Sequence, residues 1–217
     1  MISTVIFDLD GTLLNTLEDL TDSVNHIMVL HGFPERTIDE IRSFIGNGIP
    51  TLIRRSVPKG TDEETAKTCT AEMKEYYKAH ARIKTVPYDG ISGLLNELKQ
   101  RNIKTAVVTN KAEPAAKILC NEIFGDVFTT VIGDNGIDRL KPAPDNVIRA
   151  INLLQSEKEN ILYVGDSDVA MVTAENAGLT SVGVLWGFRD RDVLVASGAD
   201  YVISKPSELL TIIEKSK

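Results

Sequence analysis

Thr4-Val5-Ile6-Phe7-Asp8-Leu9-Asp10-Gly11-Thr12-Leu13 is an apolar, β-branched and aromatic run that ends abruptly in two carboxylates one residue apart, a glycine and a hydroxyl. A run of this composition reads as a buried strand. In parallel α/β sheets ligands bind at the carboxyl ends of the strands. Two acids there, followed by a loop offering backbone N–H groups, predict a metal and an anion at this strand end. Taken alone, Asp-Leu-Asp-Gly-Thr also reads as an acidic turn closing a strand, so the rest of the chain has to decide.

Working outward, strand and helix alternate beyond Val86-Pro87-Tyr88-Asp89-Gly90. A helix bearing Ile91, Leu94, Leu95 and Leu98 leads to a strand at 105–109, a helix at about 113–123 and a strand at 128–132. A helix opened by Pro142, a strand at 161–164, a helix at about 170–177 and a strand at 181–185 follow, then Tyr201-Val202-Ile203 and a last helix with Leu209, Leu210, Ile212 and Ile213. Such alternation predicts an α/β fold, a Rossmann-like parallel sheet covered by helices on both faces. The first strand belongs to this sheet, because a buried parallel strand cannot stand alone.

The chain between reads as helical throughout. Asn15 or Thr16 caps a helix with Leu17, Leu20, Val24, Ile27 and Met28 at helical spacing, and Gly32 and Pro34 stop it. Thr37 and Glu40 form a capping box, Gly46-Asn47-Gly48 breaks the pattern, and Ile49 begins a short helix with Arg54 and Arg55. Thr61 and Glu64 are read as a second capping box before a helix carrying Ala66, Cys69, Met73, Tyr76 and Tyr77. The expected organisation is a catalytic core of residues 1–14 and 88–217 with an inserted all-helical cap domain at 15–87. An insertion leaving directly after the Asp8 loop, with Gly and Pro at its ends, is expected to act as a lid.

Bulk properties narrow the partners. The 217 residues carry a formal charge of −7, which argues against nucleic acid, since phosphate-backbone binding needs a basic face. No apolar run reaches the roughly 18 residues that a membrane span requires, and no basic-then-apolar leader precedes the first strand. Cys69 and Cys120 lack metal-ligand spacing, so neither a disulfide framework nor structural zinc is expected. A cytoplasmic protein fits, and oligomeric state is not readable.

Four polar clusters fall at the ends of predicted strands or in loops before helices: Asp8 with Asp10, Thr109-Asn110-Lys111, Lys141-Pro142, and Gly165-Asp166-Ser167-Asp168. A doubly wound sheet gathers them on one edge. Separately, the second and fourth read as ordinary helix caps and the third as a solvated loop lysine. Jointly they match phosphoryl transfer through an acyl-phosphate. Asp8 is the candidate nucleophile, and Asp166, Asp8 and the backbone carbonyl of Asp10 are the candidate ligands for Mg²⁺. Asp10 is the candidate general acid and base. Thr109 and the N–H groups that follow Asp10 and Thr109, those of Gly11 and Asn110, would bond the phosphoryl oxygens, and Lys141 would neutralise charge.

The sequence resembles the haloacid dehalogenase-like hydrolases, and within them the phosphoglycolate phosphatase-like group, over essentially its whole length. Asp8-Leu9-Asp10-Gly11-Thr12-Leu13 is similar to the first motif of that family, Val107-Val108-Thr109-Asn110 to the second, Lys141-Pro142 to the third and Gly165-Asp166-Ser167 to the fourth. The resemblance implies Mg²⁺-dependent hydrolysis of a small phosphorylated metabolite, with those roles on Asp8, Asp10, Thr109, Lys141 and Asp166. It also likens Phe44-Ile45-Gly46-Asn47-Gly48 to a cap loop that touches substrate, so Asn47 and Gly48 become candidate binding residues; a plain interhelical turn is the other reading.

Two positions depart from the family pattern. Asn15 stands where an acid is frequent and can still cap a helix. The fourth motif usually reads G-D-S-x-x-D, whereas Ala170 occupies its last position here. Asp168 lies two residues earlier, about 200° away around a helix, and cannot take its place. Weakened metal binding is the expected consequence.

Alternative functions follow the same residues. A phosphosugar mutase would hold the phospho-aspartate for a second hydroxyl, and a weakly active protein would only bind phosphate ligands. A phospho-acceptor signalling domain has no need of the inserted helices. Arg54, Arg55, Arg82 and Lys84 are candidates for a second anionic group of the substrate, though helix-surface cations are usually solvated. Trp186-Gly187-Phe188 follows a strand and reads either as a lining of the site or, the stronger reading, as aromatic packing under a loop.

Overall fold

In the computed structural model, which describes residues 1–216, the opening strand β1 (Thr4–Phe7) is buried at every position. After β2 (Leu14–Asn15) come four helices, α1 (Leu17–Leu30), α2 (Ile38–Phe44), α3 (Gly48–Ser56) and α4 (Glu63–His80), and then β3 (Val86–Pro87). The alternating part begins with α5 (Ile91–Gln100), β4 (Lys104–Ala112), α6 (Glu113–Phe124), β5 (Thr130–Asp134) and α7 (Asp145–Leu154). It ends with β6 (Ile161–Gly165), α8 (Asp168–Ala177), β7 (Thr180–Val184), α9 (Arg191–Ala196), β8 (Tyr201–Ile203) and α10 (Glu208–Lys215).

Six strands form one parallel sheet in the order β5-β4-β1-β6-β7-β8, while β2 and β3 pair in a separate ribbon. β1 is central, hydrogen-bonded to β4 on one side and β6 on the other. Its period-2 alternation explains the continuous apolar run. Val5 and Phe7 point into a core layer shared with Val107, Leu162, Val164 and Val182 and with Leu94, Leu98 and Leu119 of the helices. Ile6 points the other way, into a layer with Val108, Tyr163, Val147 and Met171. Truncating Phe7 to alanine in such a layer costs about 3–5 kcal/mol.

The chain divides into two compact units, Met1–Leu14 with Pro87–Lys217, and Asn15–Val86. Within the second unit the Thr37–Glu40 capping box forms as read from sequence. Its two chain ends are also fastened. Buried Asp19 of α1 accepts from the N–H of Lys84 at 3.0 Å, the N–H of Thr85 at 2.9 Å and the Thr85 hydroxyl at 2.7 Å. No periodicity announces this clamp.

Several boundaries differ from the sequence reading. α4 is capped by Asp62, which accepts from the Thr65 N–H, rather than by Thr61, whose hydroxyl turns back to the Pro58 carbonyl. α7 starts at Asp145 rather than at Pro142, because residues 140–143 close a turn of their own through an Ala143 N–H to Leu140 carbonyl bond of 2.9 Å. β5 lies two residues later than expected, and β4 runs on to Ala112 past a register shift after Val108. α9 was not expected, since a six-residue helix gives too short a window for a periodic signal. Among the described residues, no helix is long and apolar enough to cross a membrane.

Candidate active site

The parallel register sets the site. With Phe7 level with Val107 and Val164, the residues that follow β1, Val108 and β6 emerge on the same edge of the sheet. Asp8 is the first residue past β1, and its N–H still donates to the Val164 carbonyl at 2.8 Å. The loop then folds sharply: the Leu9 carbonyl accepts from the N–H groups of Thr12, Leu13 and Leu14. Gly11 makes the turn possible with φ +82°. A Cβ there would lie 2.1 Å from Asp166 Oδ2, so only glycine admits this approach.

Both oxygens of Asp8 are held. Oδ1 accepts from the Leu9 N–H at 2.7 Å, and Oδ2 lies 2.7 Å from Lys141 Nζ. Lys141 is 3 % exposed, and its ammonium also donates to the Val108 carbonyl at 3.1 Å. Burial, the largest single influence, favours the neutral amine, but the Asp8 charge, the neighbouring Tyr163 and the hydrogen bonds to both together hold Lys141 above the usual lysine range. The Asn110 side chain engages the Lys141 backbone: its Oδ1 accepts from the Lys141 N–H at 2.8 Å and its Nδ2 donates to the Lys141 carbonyl at 3.1 Å. Thr109, buried at the same edge, accepts from the Lys111 N–H at 3.2 Å.

Asp166 sits at the end of β6 and is 1 % exposed. Burial, followed by the neighbouring Asp8 charge, pushes its carboxyl up to about 7, against the Phe188 N–H and the Thr12 hydroxyl that favour the charged form. Those donors lie at 2.9 Å and 3.1 Å. The Trp186-Gly187-Phe188 loop is therefore part of the site. Gly187 lets the loop lie against the acid, since a Cβ there would come within 2.3 Å of Asp166 Cβ, and the Trp186 indole N–H donates to the Thr12 carbonyl at 2.9 Å. Of the two readings the sequence allows for this segment, the structure bears out the weaker, a lining of the site; a glycine between two aromatics just past a strand is its signal.

Asp10 points to a different partner. Its two oxygens lie 2.9 Å and 3.2 Å from Lys111 Nζ, so its carboxylate is committed to an ion pair. Among the described residues no three His, Cys, Asp or Glu side chains cluster as a metal site. The expected ligand set, the Asp8 and Asp166 carboxylates with the Asp10 main-chain carbonyl, contains only two such side chains. Two buried carboxylates whose charges oppose each other, in an all-oxygen donor set, suit a hard divalent cation. Ala170 is buried against Gly165, and Asp168, the nearby acid, lies 3.4 Å from Arg189 Nε.

Other candidates lie within the helical unit. Asn47 and Gly48 belong to the helical unit, where Asn47 precedes α3 and makes no side-chain cap bond. Arg54 pairs with Glu63, Arg55 donates to the Phe44 carbonyl at 2.8 Å, and Lys84 pairs with Asp22 at 2.7 Å.

The chain is similar in sequence and fold to known proteins. A family description of haloacid dehalogenase-like hydrolases matches residues 5–184. Phosphoglycolate phosphatase 1 of Pseudomonas aeruginosa is 30% identical over 98% of this chain and 80% of its own length. Pyrophosphatase PpaX of Bacillus mycoides is 30% identical over 99% of this chain and 98% of its own. A solved structure from Lactobacillus delbrueckii subsp. bulgaricus superposes with a TM-score of 0.92 at 29% identity, covering 97% of this chain and 98% of that one. CbbY from Rhodobacter sphaeroides in complex with phosphate superposes with a TM-score of 0.77 at 25% identity, covering 96% of each chain. The chain belongs to the haloacid dehalogenase-like hydrolases, in their phosphoglycolate phosphatase-like group, and is a hydrolase of phosphoric monoesters.

Proposed function

We propose that the protein hydrolyses a small, anionic phosphate monoester of the phosphoglycolate type by way of a phospho-aspartate on Asp8, with Mg²⁺ as cofactor. The observation that carries this reading is the Asp8 carboxylate, held from both sides at 2.7 Å at the end of the central strand and set beside buried Asp166. In the first step an Asp8 oxygen bonds to phosphorus, the bond from phosphorus to the bridging oxygen breaks, and Asp10 gives that oxygen its proton. In the second, Asp10 takes a proton from water, the water oxygen bonds to phosphorus, and the Asp8–phosphorus bond breaks to release phosphate.

Lys141 offsets the charge of nucleophile and phosphoryl group together. The Thr109 hydroxyl and the N–H groups of Gly11 and Asn110 are assigned to the phosphoryl oxygens. Asn110's side chain, engaged with the Lys141 backbone, fixes the ammonium rather than the substrate. Asp8, Asp166 and the Asp10 carbonyl would hold Mg²⁺, which when bound neutralises phosphoryl charge. The helical unit, inserted directly after the first loop, is assigned the role of a lid, with Asn47 and Gly48 on the substrate.

The relatives support the substrate class. The substrates named for them, phosphoglycolate and pyrophosphate, both carry an anionic group within two bonds of the bridging oxygen. The test is inorganic phosphate release from a panel of phosphomonoesters and pyrophosphate, with and without Mg²⁺. Phosphoglycolate is expected to be turned over only with the metal, and hydroxylamine is expected to trap the acyl-phosphate in wild type but not in Asp8→Asn. Transfer to a second hydroxyl without phosphate release would establish a mutase, and tight binding without turnover a binding protein.

A further inference from the structure

Lys111 has no role in the steps above, yet its side chain is 6% exposed and its ammonium contacts both Asp10 oxygens, at 2.9 Å and 3.2 Å. Lysines are almost never buried unless paired, so this placement needs Asp10. It also puts a positive charge beside the atom that exchanges a proton with the bridging oxygen. That exchange requires an Asp10 oxygen within about 2.6–3.2 Å of the bridging oxygen. Groups bonded next to the bridging oxygen on the leaving side are then within a few ångströms of Nζ. A carboxylate on the adjacent carbon, as in a 2-hydroxy acid leaving group, falls in that range. The flexible four-carbon stem and three rotatable N–H donors let the ammonium hold two anions at once.

Four other cations near an acid or a main-chain acceptor are engaged within their own surroundings. Arg54, Arg55 and Lys84 have the partners described above in the helical unit, and Lys141 is fixed on Asp8. Lys111 differs in being positioned at the proton-transfer residue itself. We propose that Lys111 is a specificity-determining residue, whose ammonium binds the anionic group of the leaving alcohol while remaining on Asp10. The inference rests on the proposed substrate class and names the residue that reads it.

The experiment compares kcat/KM for phosphoglycolate with kcat/KM for 2-hydroxyethyl phosphate, the near-isosteric ester in which a neutral hydroxymethyl group replaces the carboxylate. Both substrates are run on the same preparations of wild type, Lys111→Met and Lys111→Arg with Mg²⁺, so the ratio cancels any difference in folded fraction. Loss of one charge-assisted hydrogen bond is expected to lower the phosphoglycolate preference of Lys111→Met by about tenfold or more, with most of it kept in Lys111→Arg. An unchanged ratio in Lys111→Met, even with both rates reduced, overturns the inference and leaves Lys111 as a counter-ion to Asp10 alone. A wild-type enzyme that turns over 2-hydroxyethyl phosphate but not phosphoglycolate overturns the substrate class itself, and this inference with it.

Discussion

Two lysine–aspartate pairs stand at one strand end, their aspartates separated by a single residue, and they are built differently. Lys141 and Asp8 meet at a single 2.7 Å contact, with the lysine side chain 2% exposed and its ammonium also held by a main-chain carbonyl. Lys111 straddles both oxygens of Asp10 at 2.9 Å and 3.2 Å, and the Asp10 side chain is 17% exposed. The first pair is locked by desolvation and by Asn110 gripping the lysine backbone. The second reaches solvent somewhat more, its acid 17% exposed against 11% for the Asp8 side chain. A fixed attacking carboxylate next to a more accessible proton-transfer carboxylate is the division of labour that a two-step transfer requires.

The most severe way to break this comparison is Asp8→Asn. Turnover of every phosphomonoester is expected to fall by about 10⁴-fold or more, while binding of inorganic phosphate, measured by calorimetry, persists. Equal activity in the variant would move the nucleophile elsewhere.

Lys141→Met tests whether the locked pair is a structural element as well. Removing one partner of a buried pair strands the other charge, so thermal and urea unfolding should show a loss of about 3–5 kcal/mol. Lys111→Met, whose partner reaches water, is expected to lose less. A reversed order would mean that solvent access does not distinguish the pairs.

Asp166 adds a pH dependence on the Asp8 side only. Its carboxyl is raised to about 7 in the native state from an ordinary value near 3.8. Between those values the native state binds the proton more tightly than the unfolded chain. Without metal this group's contribution to stability is therefore present at low pH and is lost as pH rises toward 7. A divalent cation binds the charged form, so added Mg²⁺ should raise the melting temperature more at pH 8 than at pH 5. Asp166→Asn should abolish that difference, and the same Mg²⁺ shift in both proteins would remove Asp166 from the metal.

The smallest expected effect concerns Ala170. Restoring an acid with Ala170→Asp should lower the Mg²⁺ concentration giving half-maximal activity by about tenfold, the scale of a lost outer partner to a metal. An unchanged half-saturation would show that the two carboxylates suffice.

Composition and periodicity made the sheet legible because its central strands β1 and β6 are buried on both faces, leaving the continuous apolar runs at residues 4–7 and 161–164. Short or capped elements were less so. α9 has too few residues for a period, and the start of α7 depends on the turn before it. At the site, residue type and position along the sheet edge brought out Asp8, Asp10, Thr109, Lys141 and Asp166. Partners could not be read in the same way. Asn110 on the Lys141 backbone, Lys111 on Asp10, and Gly187 and Phe188 on Asp166 join segments that sequence spacing does not relate.

The sequence by itself determined the family, the parallel α/β sheet and the acids at its edge, because those follow from local hydrophobic pattern and from motifs written in consecutive residues. Tertiary structure alone decided which cation meets which acid. That choice depends on how far burial strips water from each charge and which donor then lies within 3 Å, and neither quantity exists until strands from distant parts of the chain lie side by side.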